Sequence, residues 1–223
     1  MNRPRMVHPV NTALFDFDMT LVDSSFGISF CLNRLASSFG LPCVEREEVL
    51  GTIGYPMDQA MEMLWGRFDP SWIDHYREHL VPLEYERLAP FPGVPETLEE
   101  LRGRKILMGV VSNRKRLVPA VKSSGLGRFF HTLVGMDDVS RPKPDPEPVR
   151  VALKRMGRNP QKALMAGDSE VDAITAREAG VTFIGLTTGG RARCDLFAEG
   201  ALEVLDELAE LPGLIAFPTE GVS

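Results

Sequence analysis

From about residue 91 onward, short apolar runs alternate with stretches whose residue spacing is typical of helices. The apolar runs are hydrophobic along their whole length, so both faces of each strand should be buried. They are KILMGVVSN (105–113), HTLVG (131–135), KALMAGD (162–168) and VTFIGLTT (181–188). Helices are predicted near 95–103, 114–124, 146–157, 170–179 and 201–210. This alternation predicts an α/β fold with a parallel sheet covered on both faces, and the run 11–16 should be part of that sheet.

Residues 22–88 have a different pattern. Apolar residues recur there at spacings of three and four without strand-like runs, which predicts three or four amphipathic helices. LAPFPGV (88–94), with two prolines and a glycine, is the expected point of return to the α/β pattern. We therefore predict an α/β core, residues 1–21 and 89–223, and a helical domain, residues 22–88, inserted after the first strand.

Composition narrows the classes of function. The 223 residues include 43% hydrophobic and 25% charged residues, as in soluble globular proteins, and no apolar run approaches the roughly 20 residues that cross a bilayer. Residues 1–10 are expected to be a short lead-in, because no hydrophobic segment follows their basic residues. The 3 cysteines indicate neither a disulfide framework nor a zinc site and favour a cytoplasmic location. The net charge of −6 argues against nucleic acid as a partner, and no membrane partner is expected.

Polar side chains follow the predicted strands at the ends where the strands finish. They are Asp16 and Asp18, then Ser112 and Asn113, then Lys143 within RPKPDP, and finally Asp168 and Asp172. Ligands of open parallel sheets bind outside the carboxyl ends of the strands, so these groups should converge on one pocket. Asp16, Asp168 and Asp172 would offer the oxygen ligands that Mg²⁺ prefers.

The same residues suit phosphoryl transfer. The Ser112 hydroxyl and the Lys143 ammonium are appropriate partners for phosphate oxygens. Asp16 and Asp18 could divide the work, since one carboxylate can attack phosphorus while the other transfers protons. Taken singly, each group has a simpler explanation, such as a solvated turn or a helix N-cap. The four groups together favour a single reactive site.

DFDMT, SN after an apolar strand, RPKPDP and GDSEVD occur in this order, and in these motifs the chain resembles the haloacid dehalogenase superfamily, in its phosphatase branch. The tail from GLTTGG is similar to that of phosphoglycolate phosphatase-like members. The resemblance implies a Rossmann-like three-layer α/β/α core with an inserted α-helical cap domain. It also implies a Mg²⁺-dependent phosphoric monoester hydrolase acting on a small phosphorylated metabolite, as a monomer or homodimer.

The resemblance also implies roles for single residues. Asp16 is the nucleophile and a metal ligand. Asp18 is the general acid and then the general base, and its backbone carbonyl contacts the metal. Thr20 would orient Asp18 through its hydroxyl. Tyr55, within Gly-Tyr-Pro, resembles a cap-loop residue that contacts the substrate.

The remaining roles concern phosphate and metal. Ser112, the amide of Asn113 and Lys143 would hold the transferring phosphoryl group. Asp168 would bind Mg²⁺ directly, and Asp172 would act behind the metal ligands or through water. Phosphoglycolate is the substrate the resemblance favours, while sugar phosphates, pyrophosphate and nucleoside monophosphates stay open.

Two alternatives to a hydrolase remain. A sugar-phosphate mutase would pass the phosphoryl group to another sugar. A non-catalytic phosphoryl-receiving or ligand-sensing protein would use a similar set of residues, although it would not need Asp18. One residue departs from the family pattern: Met19 stands where many relatives have glycine, and its bulk should narrow the entrance or alter the turn.

Overall fold

The computed structural model describes residues 9–215. Most of the lead-in predicted for residues 1–10 therefore lies outside the described residues. The strands are, in chain order, β1 (Thr12–Phe15), β2 (Val22–Asp23), β3 (Ala89–Pro90), β4 (Leu107–Val111), β5 (Thr132–Val134), β6 (Ala163–Gly167), β7 (Thr182–Leu186) and β8 (Glu203–Leu205). Six of them form one parallel sheet in the order β5-β4-β1-β6-β7-β8, and β2 pairs with β3 antiparallel. The predicted parallel α/β fold is confirmed.

The helices fall into two groups along the chain. Between β2 and β3 lie α1 (Ser25–Phe39), α2 (Arg46–Leu50), α3 (Met57–Trp65), α4 (Pro70–His75) and α5 (Val81–Tyr85), with a π-helical turn, Tyr76–Leu80, joining α4 to α5. After β3 lie α6 (Val94–Gly103), α7 (Leu117–Ser123), α8 (Glu147–Met156), α9 (Glu170–Ala179), α10 (Arg193–Ala198) and α11 (Leu211–Leu214). Helices α6 to α9 occupy the stretches predicted near 95–103, 114–124, 146–157 and 170–179.

The strand β1 lies at the centre of the sheet, between β4 and β6. Ala13 and Phe15 belong to the apolar cluster on one face, whereas Leu14 belongs to the cluster on the other. Successive side chains of a strand point to opposite faces, so an uninterrupted apolar run suits a strand that is covered on both sides. The next residue, Asp16, consequently emerges at the carboxyl edge of the sheet.

The helix predicted for residues 201–210 is wrong. Residues Glu203–Leu205 form β8, which pairs with β7 at the edge of the sheet. Val204 and Leu205 are buried there, and Leu202 donates its backbone N–H to Phe183 O at 2.9 Å. The Ala, Leu and Glu residues favour a helix locally, but pairing with an open sheet edge outweighs that preference.

The segment from residue 22 to residue 88, which we call the inserted segment, leaves the sheet after β1 and returns through β3. It begins with the short strand β2, which its sequence pattern did not predict. Most of its buried apolar side chains form a third cluster, separate from the two on the sheet, which includes Leu35, Met61, Trp72 and Tyr76. The domain boundaries proposed from the sequence stay a prediction.

Among the helices of residues 9–215, none is both long enough and apolar enough to span a membrane.

Candidate active site

Asp16 and Lys143 meet at the carboxyl edge of the sheet. Lys143 Nζ donates to Asp16 Oδ1 at 2.7 Å and to Asp172 Oδ1 at 2.6 Å. All three side chains are almost fully buried. The Asp16 backbone N–H extends the β1–β6 ladder by donating to Ala166 O at 2.9 Å, so the position of its side chain is set by the sheet.

Three carboxylates lie together at this edge. Oxygens of Asp16, Asp168 and Asp172 are all within 4.8 Å of one another, and the three residues are buried. Asp168 follows β6 directly, and Asp172 lies in the first turn of α9, where Ser169 Oγ donates to its Oδ2 at 2.6 Å. Sequence positions 152 residues apart are thus brought to one point, because the strands that precede them are neighbours in the sheet.

The hydroxyl of Thr20 has a different partner from the one expected. Thr20 Oγ1 donates to Asp168 Oδ1 at 2.9 Å, so it orients this carboxylate and not Asp18. The backbone turns sharply just before it, because Met19 has a φ of 60°. This turn points the Thr20 side chain toward the end of β6.

Met19 adopts a left-handed backbone conformation, which explains why glycine suits this position. Glycine adopts a positive φ at little cost, which fits its frequency at this position in relatives. In this chain the Met19 side chain is only 1% exposed, so its burial offsets the backbone strain. Its carbonyl accepts a hydrogen bond from Thr188 Oγ1. The Met19 side chain is therefore buried and does not protrude into an entrance.

The electrostatics of the carboxylate cluster indicate a deficit of positive charge. Burial raises the pKa of Asp16 to about 7, although the attraction of Lys143 opposes the rise. Burial, followed by repulsion from Asp172 and Asp16, raises the pKa of Asp168 well above its usual range. Burial disfavours the Lys143 ammonium, but Asp16 and Asp172 outweigh it and raise its pKa.

These residues fit a divalent cation. With all three carboxylates ionised, Lys143 offsets only one of the three negative charges, and a buried surplus of charge is costly. Clustered carboxylate oxygens are the ligands of hard cations such as Mg²⁺. Asp16, Asp168 and Asp172 would hold the ion, which would supply charge neutralisation for an approaching phosphate.

Asp18 is not part of the three-carboxylate cluster. Arg114 holds both of its oxygens, donating from Nε to Oδ2 at 3.0 Å and from Nη2 to Oδ1 at 2.5 Å. The third guanidinium nitrogen, Nη1, donates to Glu84 Oε1, and Tyr76 donates its hydroxyl to Glu84 Oε2 at 2.6 Å. Glu84 and Tyr76 belong to the inserted segment, whereas Arg114 follows β4. Arg114 and Glu84 were not predicted from the sequence as residues of the site.

Asn113 connects three segments of chain through its side chain. Its Nδ2 donates to Lys143 O at 2.9 Å and to Gly54 O at 3.0 Å, and its Oδ1 accepts from the Lys143 N–H at 2.9 Å. Ser112 is buried beside it and accepts a hydrogen bond from the Arg114 N–H at 3.1 Å. The Asn113 side chain therefore fixes the backbone of Lys143.

Tyr55 contacts the core through Glu170, which was not predicted from the sequence as a site residue. Its hydroxyl donates to Glu170 Oε1 at 2.7 Å, and Arg191 Nη2 lies 2.5 Å from the other oxygen of Glu170. A cavity of about 840 Å³ lies between the inserted segment and the core. Tyr55, Asp16, Asp18, Ser112 and Asn113 all line it.

Comparison with known proteins is consistent with this arrangement. The model of the family described as haloacid dehalogenase-like hydrolase matches residues 13–186. The chain belongs to this family. The family assignment made from the motifs is thereby confirmed, and with it the assignment of the chain as a hydrolase.

Two proteins named for the hydrolysis of phosphate compounds resemble this chain over most of its length. A pyrophosphatase, PpaX, of Bacillus velezensis is 31% identical over 210 residues, which cover 92% of this chain and 97% of that protein. A phosphoglycolate phosphatase of Pseudomonas putida is 31% identical over 236 residues, covering 99% of this chain and 83% of that protein.

Solved structures of the family have the same fold. A haloacid dehalogenase-like hydrolase from Bacteroides fragilis superimposes with a TM-score of 0.82 at 29% identity, covering 91% of this chain and 99% of that one. A family member from Streptococcus pneumoniae gives a TM-score of 0.80 at 22% identity, covering 93% and 99% of the two chains, and this second likeness concerns the fold alone.

Proposed function

We propose that this chain is a Mg²⁺-dependent phosphatase that hydrolyses a small phosphate monoester through an aspartyl-phosphate on Asp16. The observation that supports it best is the convergence of Asp16, Lys143 and the two further carboxylates at one edge of the sheet, beside a cavity that Asp18 also lines. A nucleophile, a phosphate-binding cation, a metal site and a proton-transfer group are thereby within reach of one substrate.

In the first step an oxygen of Asp16 attacks phosphorus. A bond forms between phosphorus and Asp16, the bond to the leaving oxygen breaks, and Asp18 donates a proton to that oxygen. Lys143 and the Ser112 hydroxyl bind oxygens of the transferring phosphoryl group. Arg114 donates to both Asp18 oxygens in the described conformation, and its positive charge opposes the protonation that Asp18 needs in this step.

In the second step water attacks phosphorus from the side opposite Asp16. Asp18 accepts a proton from the water, the bond to Asp16 breaks, and inorganic phosphate leaves. Mg²⁺ supplies charge neutralisation when it is bound by Asp16, Asp168 and Asp172. Thr20 and Ser169 hold Asp168 and Asp172 in place through the hydrogen bonds described above. Asp172 also contacts Lys143, so its role includes fixing this ammonium.

The inserted segment is proposed to act as a cap that closes over the reaction and excludes bulk water. The relatives described above do not specify the substrate, because proteins of equal identity to this chain are named for pyrophosphate and for phosphoglycolate. The mutase alternative is not favoured, since the names of both relatives denote hydrolysis.

Hydrolysis of p-nitrophenyl phosphate tests the proposal. We expect turnover with Mg²⁺ and its loss on addition of a chelator. Asp16→Asn should reduce turnover to background, and Asp18→Asn should lower it by roughly 10²–10⁴-fold, the usual size of a proton-transfer contribution. Asp195→Asn, at an exposed carboxylate on α10, is the control and should behave as wild type.

Absence of turnover with all phosphate esters, in folded protein supplied with Mg²⁺, would contradict the proposal. Reaction in ¹⁸O-labelled water separates the alternatives. Label in the released phosphate supports hydrolysis, an unlabelled isomerised product indicates a mutase, and a stable phosphoprotein without product indicates a phosphoryl-receiving protein.

A further inference from the structure

The cavity of about 840 Å³ has two chemically different sides. The core side presents the polar residues of the proposed reaction, among them Asp16, Ser112 and Asn113. The inserted segment contributes mostly apolar side chains to the same cavity, Ile28, Ile53, Met57, Phe68, Ile73 and Val81 among them. It also contributes the charged side chains of Asp58, Asp74 and Arg77. One ligand could therefore contact both sides at once.

The apolar side chains of the cavity are incompletely covered by protein. All six are only partly buried, although they pack against the apolar cluster of the inserted segment. Apolar surface left in contact with water costs about 25 cal/mol for each Å², and an apolar ligand that covers it recovers this free energy. The six side chains come from several helices and loops and line one cavity, which suits a bulky group.

The size of the cavity favours the same conclusion. Pockets of roughly 300–1,000 Å³ are those that bury most of a drug-sized ligand, and they combine largely apolar walls with a few placed polar groups. A two-carbon phosphate such as phosphoglycolate, held by Lys143 and Ser112, would leave most of 840 Å³ unfilled.

We propose that the substrate is a phosphate monoester of a bulky, largely apolar alcohol, alkyl or aryl, whose apolar part lies against the inserted segment. This inference rests on the proposed phosphatase function and replaces phosphoglycolate as the expected substrate. The phosphate lies at Asp16 and Lys143, and the apolar part of the alcohol extends toward Met57 and Phe68.

A series of n-alkyl phosphates tests the inference in the wild-type protein with saturating Mg²⁺. From ethyl to hexyl phosphate, kcat/KM should rise about twofold to fourfold for each methylene, the upper value corresponding to about 0.8 kcal/mol. Phenyl and naphthyl phosphates form the aryl arm, in which naphthyl phosphate should be the better substrate. Alkylphosphonates, whose C–P bond is not cleaved, should inhibit with the same dependence on chain length.

Two methionines of α3 provide a matched pair of variants. Met57 lines the cavity, whereas Met63 does not and is 56% exposed. Met57→Ser should lower the ratio of kcat/KM for hexyl over ethyl phosphate by about fivefold, and Met63→Ser should leave the ratio unchanged. Because the ratio is measured within one preparation, a change in the folded fraction does not affect it.

The outcomes separate the two proposals. If ethyl and hexyl phosphates are hydrolysed equally well, or if phosphoglycolate or pyrophosphate is better than both, the inference is overturned while the phosphatase function stands. If no phosphate ester is hydrolysed, the phosphatase function fails and the inference fails with it.

Discussion

Gly189, in the turn that follows β7, lies directly against a proposed metal ligand. A Cβ atom added at this position would come within 1.9 Å of Asp168 Oδ2 and within 2.9 Å of Asp168 Cβ. The nearby atoms include the base of the Asp168 side chain, which has no freedom to move aside. Glycine is required here by the close approach and not by a left-handed backbone.

Gly189→Ala should therefore displace the Asp168 carboxylate. We expect phosphatase activity to fall by about tenfold to a hundredfold, the size of effect seen when the support of a metal ligand is removed, with a higher Mg²⁺ concentration needed for half-maximal rate. Gly103→Ala is the control, because a Cβ at Gly103 meets nothing within 4 Å. Equal Mg²⁺ dependence in Gly189→Ala and wild type would refute the crowding argument.

The residues that the sequence could predict are those whose function depends on local spacing. Asp16 and Asp168 each follow an apolar run directly, so a strand boundary was enough to bring them to one edge of the sheet. Gly189 and Arg114 were missed because their importance arises from contacts with residues far away in the sequence. For Arg114 the partner Glu84 lies 30 residues earlier, on a helix that gives no indication of where it docks.

At the scale of elements, α1 packs against the π-helical turn that joins α4 to α5. Cys31 of α1 is fully buried and donates its thiol to Leu80 O at 3.4 Å. Burial, with a smaller contribution from the nearby Glu84, raises the pKa of this thiol to about 12. Cys43 and Cys194 are exposed.

A thiol-reactive dye at pH 8 should thus label two cysteines in the folded protein and all three after denaturation. The reactive species is the thiolate, which Cys31 does not form at this pH because its pKa lies well above 8. Cys43→Ser and Cys194→Ser should each reduce the number of rapidly labelled thiols in the folded protein by one. Rapid labelling of a third thiol in native protein would mean that the helices around Cys31 open readily.

Helices and strands were predicted best where they alternate regularly along the chain. Helices α6 to α9 each follow one strand and precede another, so their positions follow from the alternation. The strand β8 was mistaken for a helix because its residues favour helix locally and its pairing partner decides the outcome. The short helix α10, just before it, was also not predicted, and its Leu196 packs on the sheet cluster.

At the scale of the whole molecule, Arg114 links the inserted segment to the core. Its side chain is about 10% exposed, and the guanidinium lies between Asp18 of the core and Glu84 of the inserted segment. Burial disfavours its charge, but Asp18 and Glu84 outweigh this effect and raise its pKa. A conformational change that separates the two parts must therefore break a buried ion pair.

Arg114→Gln should leave two carboxylates buried without their cation. We expect the free energy of unfolding, measured in urea, to fall by about 3–5 kcal/mol, because breaking one side of a buried pair leaves uncompensated charge. Adding Glu84→Gln should recover part of the loss, giving a coupling energy in a double-mutant cycle.

Arg102→Gln is the matched control for this experiment. Arg102 pairs with Glu99 on the exposed face of α6, where such pairs contribute about 0–1 kcal/mol. If Arg114→Gln lowered the free energy of unfolding as little as Arg102→Gln, the Arg114 ion pairs would not be what joins the two parts of the molecule.

The side chain of Asn113 binds two parts of the site, the Lys143 backbone in the core and the Gly54 loop in the inserted segment. Two of its three hydrogen bonds hold the Lys143 backbone, and both belong to the core, while the third reaches Gly54 beside Tyr55. If the Gly54 loop moved away, Asn113 would lose one hydrogen bond, which contributes about 1 kcal/mol. Its two hydrogen bonds to the Lys143 backbone would remain. Under the proposed function, the Gly54 loop would open for substrate entry and product exit in each turnover, while Asn113 would keep the Lys143 backbone in place.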